Sequence, residues 1–182
     1  IGSKETAAAS SPGMSKCIGW ALSSAARRVM AVKDRDGASP SDPISRSEIA
    51  HCFLIPNHTS AGFVALARAD FVSMDTDGFT FNLNIAPAIG VIVGFFALGG
   101  DELTNLSTGT FTSPAAAGNH AVTGVGFKPD IIFLLTTSED NTPPFTRVEA
   151  QMGFGYAISS TDRGAQAHNA QAPVSPTNTN RT

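Results

Sequence analysis

Residues 77–85 limit the fold of this chain more than any other stretch. Asp77-Gly78 comes first, and then Phe79, Phe81, Leu83 and Ile85 alternate with Thr80, Asn82 and Asn84. A period of two places the apolar side chains on one face of an extended strand and the polar ones on the other. Asp-Gly supplies the positive φ that both central positions of a tight hairpin turn require. This is the cleanest amphipathic strand in the sequence.

Similar punctuation runs through the rest. Cys17-Ile18-Gly19-Trp20-Ala21-Leu22 and Val29-Met30-Ala31-Val32 flank a short Ser/Arg turn and read as a hairpin. Asp34 to Pro43 reads as a loop, Ile49 to Ile55 as a strand ended by Pro56-Asn57, and Gly62 to Met74 as one long or two short strands. Ser45 to His51 allows at most a turn or two of helix. Val91 to Leu98 is apolar on both faces and predicts a central strand buried on two sides. Thr108 to Thr112, Ala121 to Val125, Ile131 to Leu135 and Met152 to Ile158 supply further strands, with loops at 114–119, 126–130 and 138–144. Strands at such spacing, without a convincing amphipathic helix, predict an all-β fold. The expected form is an antiparallel, jelly-roll-like β-sandwich of about nine or ten strands.

Composition narrows the function classes. The 182 residues suit one domain and a fraction, and 42% hydrophobic residues suffice for a core. Only 15% are charged and the net charge is −3, which gives no basic footprint for nucleic acid or anionic membrane. The longest apolar stretch, Ile85 to Leu98, is broken by Pro87, Gly90 and Gly94 and is too short to span a bilayer as a helix, so no membrane partner is expected. Cys17 and Cys52 form neither a disulfide scaffold nor a four-cysteine zinc site, and whether they pair stays open.

The chain also matches itself. Gly19-Trp20-Ala21-Leu22-Ser23-Ser24 recurs as Gly155-Tyr156-Ala157-Ile158-Ser159-Ser160, at an offset of 136 residues. At that offset Arg27 meets Arg163, Ala31 meets Ala167, and Ser39-Pro40 meets Ser175-Pro176. The division expected is a flexible arm or tag at 1–14, a β-sandwich domain at 15–150, and at 151–182 the start of a second repeat or a C-terminal arm. In this reading Met152 to Ile158 pairs beside the first strand, and the tail after Ser160 runs on as an extended or poorly ordered arm. Residues 1–13 are small, polar and aperiodic; they read as a tag or linker before Met14, or as part of a longer polypeptide.

Catalytic and metal-binding patterns are thin. His51, His58, His120 and His168 follow no zinc spacing. His51 and Cys52 are neighbours, so on a strand they face opposite sides and cannot serve one site. Asp75-Thr76-Asp77-Gly78 opens like a calcium loop but lacks the later ligands and the closing Glu. Asp101-Glu102 reads as a solvated loop, and Gly124-Val125-Gly126 leads into Phe127-Lys128-Pro129 rather than a phosphate-binding helix. Asn57, Asn105 and Asn180 begin N-glycosylation triplets, which mean little without a secretory context. No catalytic residue, metal or cofactor is expected. A hydrolase would need His51, His58 or His120 to meet Asp101 or Glu102 in a cleft. A carbohydrate-binding module, such as the receptor-recognition part of a tail fibre, would need exposed aromatics. Trp20 and Tyr156 are its candidate glycan contacts, beside Asn57, Asn105 or Asn119.

Three segments carry a resemblance: Asp75 to Asn84 (DTDGFTFNLN), Phe96 to Gly100 (FALGG) and Val122 to Leu134 (VTGVGFKPDIIFL). In order and content they resemble the repeated domains of structural proteins in tailed-bacteriophage virions, and Gly155 to Ser159 matches a later strand of that family. The chain departs from the pattern at Phe81 and in Val91 to Gly94. The matching positions Asp77, Gly78, Gly99, Gly100, Gly124, Gly126 and Pro129 are turns, so they speak to fold rather than catalysis. The resemblance implies a non-enzymatic virion component, a capsid decoration or tail-associated protein. It would be made in the host cytoplasm, reside in the particle, and assemble with its own copies and other virion proteins through β-edges and terminal arms.

Overall fold

The computed structural model describes residues 14–35, 42–137, 145–147, 149–170 and 179–181. They form strands, turns and extended chain, with no helix among them. The first sheet contains β1 (Met14–Ala21), β2 (Arg27–Asp34) and β3 (Ile44–Glu48) in chain order, and the three-residue β8 (Phe145–Arg147) lies beside β3. A second sheet is β4 (Phe53–Pro56), β5 (Ala65–Asp75) and β6 (Gly78–Ile85). In the third, β9 (Ala150–Ala157) sits between β7 (Ile132–Thr136) and β10 (Arg163–Ala170), with the three-residue β11 (Thr179–Arg181) outside β10. Every pairing is antiparallel.

The core is built around β2, whose residues from Val29 to Asp34 are all buried. Met30 and Val32 point to one side, where they meet Ala150, Met152 and Ala170, with Ile18, Trp20 and Leu135 at the margin. Val29 and Ala31 point to the other and meet Leu54, with Cys17, Phe63 and Ala65 around them. A strand covered on both faces needs apolar residues at successive positions, and Val-Met-Ala-Val supplies them. Lys33 then enters the buried run with its charge. Its ammonium donates to the Ser60 carbonyl at 2.6 Å and pairs with Asp42 at 3.6 Å. Burial pushes the pKa of Lys33 down, while Asp42 pulls it back up.

The hairpins β1–β2 and β9–β10 share one geometry. Shifted by 136 residues, the bounds of β1 become those of β9, and the bounds of β2 become those of β10. The register follows: Ala21 faces Arg27 in one and Ala157 faces Arg163 in the other. The turns share their main hydrogen bonds. Leu22 N–H donates to the Ala26 carbonyl at 2.8 Å, as Ile158 N–H does to that of Asp162 at 2.9 Å. The Ser23 hydroxyl accepts from the N–H groups of Ala25 and Ala26 at 3.2 and 3.0 Å. Ser159 does the same for Thr161 and Asp162 at 3.2 and 2.9 Å. Even the next strand keeps register, because Lys33 faces Ile44 and Asn169 faces Asn180.

Several expectations need correction. The segment 45–51 is not helical: Ile44–Glu48 is a strand, and the strand expected from Ile49 begins only at Phe53. The hairpin after β5 turns on Thr76 and Asp77, one residue earlier than expected, and Gly78 pairs with Asp75 at a φ of 152°. The central strand expected at Val91 to Leu98 is absent; residues 86–131 contain no strand, so Thr108 to Thr112 and Ala121 to Val125 are not strands either. Pro87, Gly90 and Gly94 interrupt the run, and no described strand lies alongside to satisfy its N–H and C=O groups. Rather than pairing beside β1, β9 joins β7 and β10 by its edges and meets the first sheet through side chains. The tail after Ser160 returns as β10. The arm at 1–13 and the loops at 36–41 and 138–144 lie outside the described residues.

Candidate functional site

The polar side chains that could do chemistry are engaged with one another. His51 sits in the bend after β3, with Nε2 3.3 Å from Glu48 and Nδ1 2.5 Å from Asp70 on β5. Arg46 donates to the other oxygen of Glu48 at 2.5 Å and lies over the Phe63 ring at 5.2 Å. Asn84 on β6 donates to Asp70 at 3.1 Å. Slight burial works to raise the pKa of Asp70, but the bonds from His51 and Asn84 and the neighbouring positive charge outweigh it, so the carboxyl titrates below its usual range. Nδ1 is hydrogen-bonded to Asp70, while Nε2 faces Glu48 without a hydrogen bond, so the ring stands between two carboxylates. The network clamps the end of the first sheet to the second.

Cys52 turns away from it and donates to the Ala69 carbonyl at 3.6 Å. Burial pushes its thiol up, and it pushes Cys17 further, to about 11. Both cysteines are free thiols. Neither has the lowered pKa of a reactive thiolate. The hydrolase constellation does not come together, since His51 bonds Asp70 and faces Glu48, His58 is buried, and His120 stacks on Phe111 at 5.8 Å. Asp101 and Glu102 are exposed turn residues. The resemblance of 75–78 to a calcium loop has another origin: Ser73 and Thr80 donate to the two oxygens of Asp75 at 2.7 and 2.6 Å and lower its pKa. Among the described residues no three His, Cys, Asp or Glu side chains are grouped to hold a metal.

The turn positions are on the surface. Gly100, Gly124 and Gly126 adopt φ of 107°, 84° and 87°. L side chains rarely enter that region, which accounts for glycine there. Gly99 and Pro129 are exposed beside them, as is Asp77 in its hairpin. The two glycan candidates differ. Trp20 packs at the margin of the core, and Tyr156 is 37% exposed with its ring over Gly164. Asn57 spends its side-chain oxygen on Thr59, and Asn105 donates to Thr104.

What the molecule exposes instead is apolar surface. Ile92 is 81% exposed, Phe96 76% and Phe95 72%, and Ile89, Leu98, Leu106, Phe111 and Val122 are open as well. These residues belong to the strandless stretch 86–131, whose charged residues are only Asp101, Glu102, Lys128 and Asp130. The apolar face of β6 continues the surface: Phe79, Phe81 and Leu83 are exposed, and Phe95 meets Phe79 edge-on at 5.3 Å. Phe133 and Phe154 stack at 6.2 Å on the third sheet and are also open. Lone exposed apolar residues are ordinary, but a stretch of this extent is more than a monomer's surface usually carries. Val91 to Leu98 reads as a buried strand in the sequence, and nothing local distinguishes an apolar residue that the fold covers from one that it leaves open. Family models, curated proteins and solved structures contain no match to this chain. Among the described residues no helix is long and apolar enough to cross a membrane.

Proposed function

We propose that this chain is a non-enzymatic structural protein of a tailed-phage virion, a capsid decoration or tail-associated component that assembles with its own copies and with other virion proteins. The observation that carries the assembly reading is the exposed apolar stretch 86–131 together with β6, which a soluble chain keeps only if a partner covers it. The virion reading rests on the resemblance of residues 75–84, 96–100 and 122–134 to virion repeat domains. Strand edges add a second means of adhesion, because backbone groups on an open edge pair with another chain without special side chains. The jelly-roll-like sandwich belongs to the same reading, with the two clusters on either side of β2 as its core.

The lectin-like alternative keeps one of its two named aromatics, since Trp20 packs at the core margin while Tyr156 is exposed with its ring over Gly164. An antibody raised against the chain tests the location. On purified phage particles from the source sample, immunogold label over capsids or tails is the expected result. Particles that contain no trace of the chain by mass spectrometry contradict it.

A further inference from the structure

The matching hairpins differ in what lies beside them. On β9, the outer edge is covered by β7, with Ile132 opposite Ala157, Leu134 opposite Gly155 and Thr136 opposite Gly153. On β1, no described strand covers the equivalent edge. The backbone directions are the same. The bond from Ile158 to Asp162 starts an alternation that turns the groups of Ala157, Gly155 and Gly153 toward β7. From Leu22 to Ala26 the same alternation turns the N–H and C=O groups of Ala21, Gly19 and Cys17 outward. Gly19 is exposed there.

We infer that the outer edge of β1 is a seat for a strand of the β7 pattern, Ile-Phe-Leu-Leu-Thr, supplied by another repeat unit. It pairs antiparallel, with the residues equivalent to Ile132, Leu134 and Thr136 opposite Ala21, Gly19 and Cys17. This rests on the assembly reading and names one of its edges and the partner. The occupant follows from the two faces it must meet. One lies along Ile18, Trp20 and Met30, as Leu135 lies along Met152 in the third sheet. The other lies along the side where Cys17, Val29 and Leu54 cluster. A strand between two apolar faces must be apolar on both, and β7 is. A β7 already paired with β9, in this chain or in a second copy, cannot fill this seat, because β9 holds it by the edge that β1 would need. The occupant is a β7-pattern strand whose own unit places no β9 beside it.

The full chain, with a peptide of residues 130–137 added, provides the test by amide-resolved hydrogen exchange. At saturation the amides of Cys17, Gly19 and Ala21 slow by about tenfold or more. Those of Ile18 and Trp20, already bonded to β2, stay unchanged, and a peptide carrying Leu134→Pro slows none. Protection confined to Gly153, Gly155 and Ala157, or seen nowhere, overturns the inference. So does slow exchange at Cys17, Gly19 and Ala21 before peptide is added, since the edge is then already covered. A chain that sediments as a monomer yet shows the β1 protection refutes assembly and keeps the seat; an assembling chain without that protection does the reverse.

Discussion

Gly19 and Gly155 occupy equivalent places in the two hairpins, yet their surroundings differ. A Cβ on Gly19 would stand 1.9 Å from the backbone oxygen of Cys52, which cannot move without shifting the approach to β4. On Gly155 the nearest atom would be 3.3 Å away, the carbonyl oxygen of Gly164. Gly19→Ala therefore destabilises by about 1–3 kcal/mol, the usual cost of overpacking, while Gly155→Ala stays within about 1 kcal/mol of the parent. Urea denaturation of the two variants checks the difference. Equal losses would show that Gly19 is not a contact point. Cys17 gives a prediction in pH. Its thiol is raised from 9.0 to about 11 by burial, with a backbone bond from Leu54 acting against the shift. A raised folded pKa means the contribution is complete below about 9 and is lost as pH rises through about 11. Melting temperatures of the parent and Cys17→Ala between pH 8 and 11 should thus converge or cross as the parent loses stability faster. Parallel curves would contradict the burial of the thiol.

At the level of elements, local chemistry was readable where a turn and its flanking strands are self-contained. The Ser/Arg turn between Ala21 and Arg27, the Asp77-Gly78 region and the strand Phe79–Ile85 all appear because their determinants lie within a few residues. Val91 to Leu98 failed for the opposite reason. Its composition reports a demand for burial, but strand formation depends on pairing with a neighbouring edge, and no described strand pairs with it. Local composition does not signal β10, because Arg163–Ala170 (RGAQAHNA) has almost no β-branched or aromatic residue. Only the 136-residue self-match points to a hairpin there, and it is a strand through its turn and through pairing with β9. The His51 network was equally hidden, since Glu48, Asp70 and Asn84 come from three strands that only the fold brings together. The shared turn yields a paired prediction. Ser23→Ala and Ser159→Ala each remove a hydroxyl that accepts two backbone N–H groups, and each costs about 0.5–1.5 kcal/mol. Thermal unfolding of both variants measures this, and a cost at one site alone would break the equivalence of the turns.

At the scale of the whole molecule, low charge and a large apolar surface point the same way. A chain with 15% charged residues and an open stretch of phenylalanine, isoleucine and leucine has little to keep copies apart and much to hold them together. Its core, centred on β2, is separate from that surface, so the surface can be altered without hollowing the fold. Ile92→Ser, Phe95→Ser and Phe96→Ser combined remove the three most exposed large apolar side chains while leaving both core clusters intact. Sedimentation equilibrium of the full chain beside this triple variant tests assembly most directly. The parent is expected at a multiple of 18.8 kDa and the variant at or near 18.8 kDa. A parent chain that sediments at 18.8 kDa at every concentration would contradict the account.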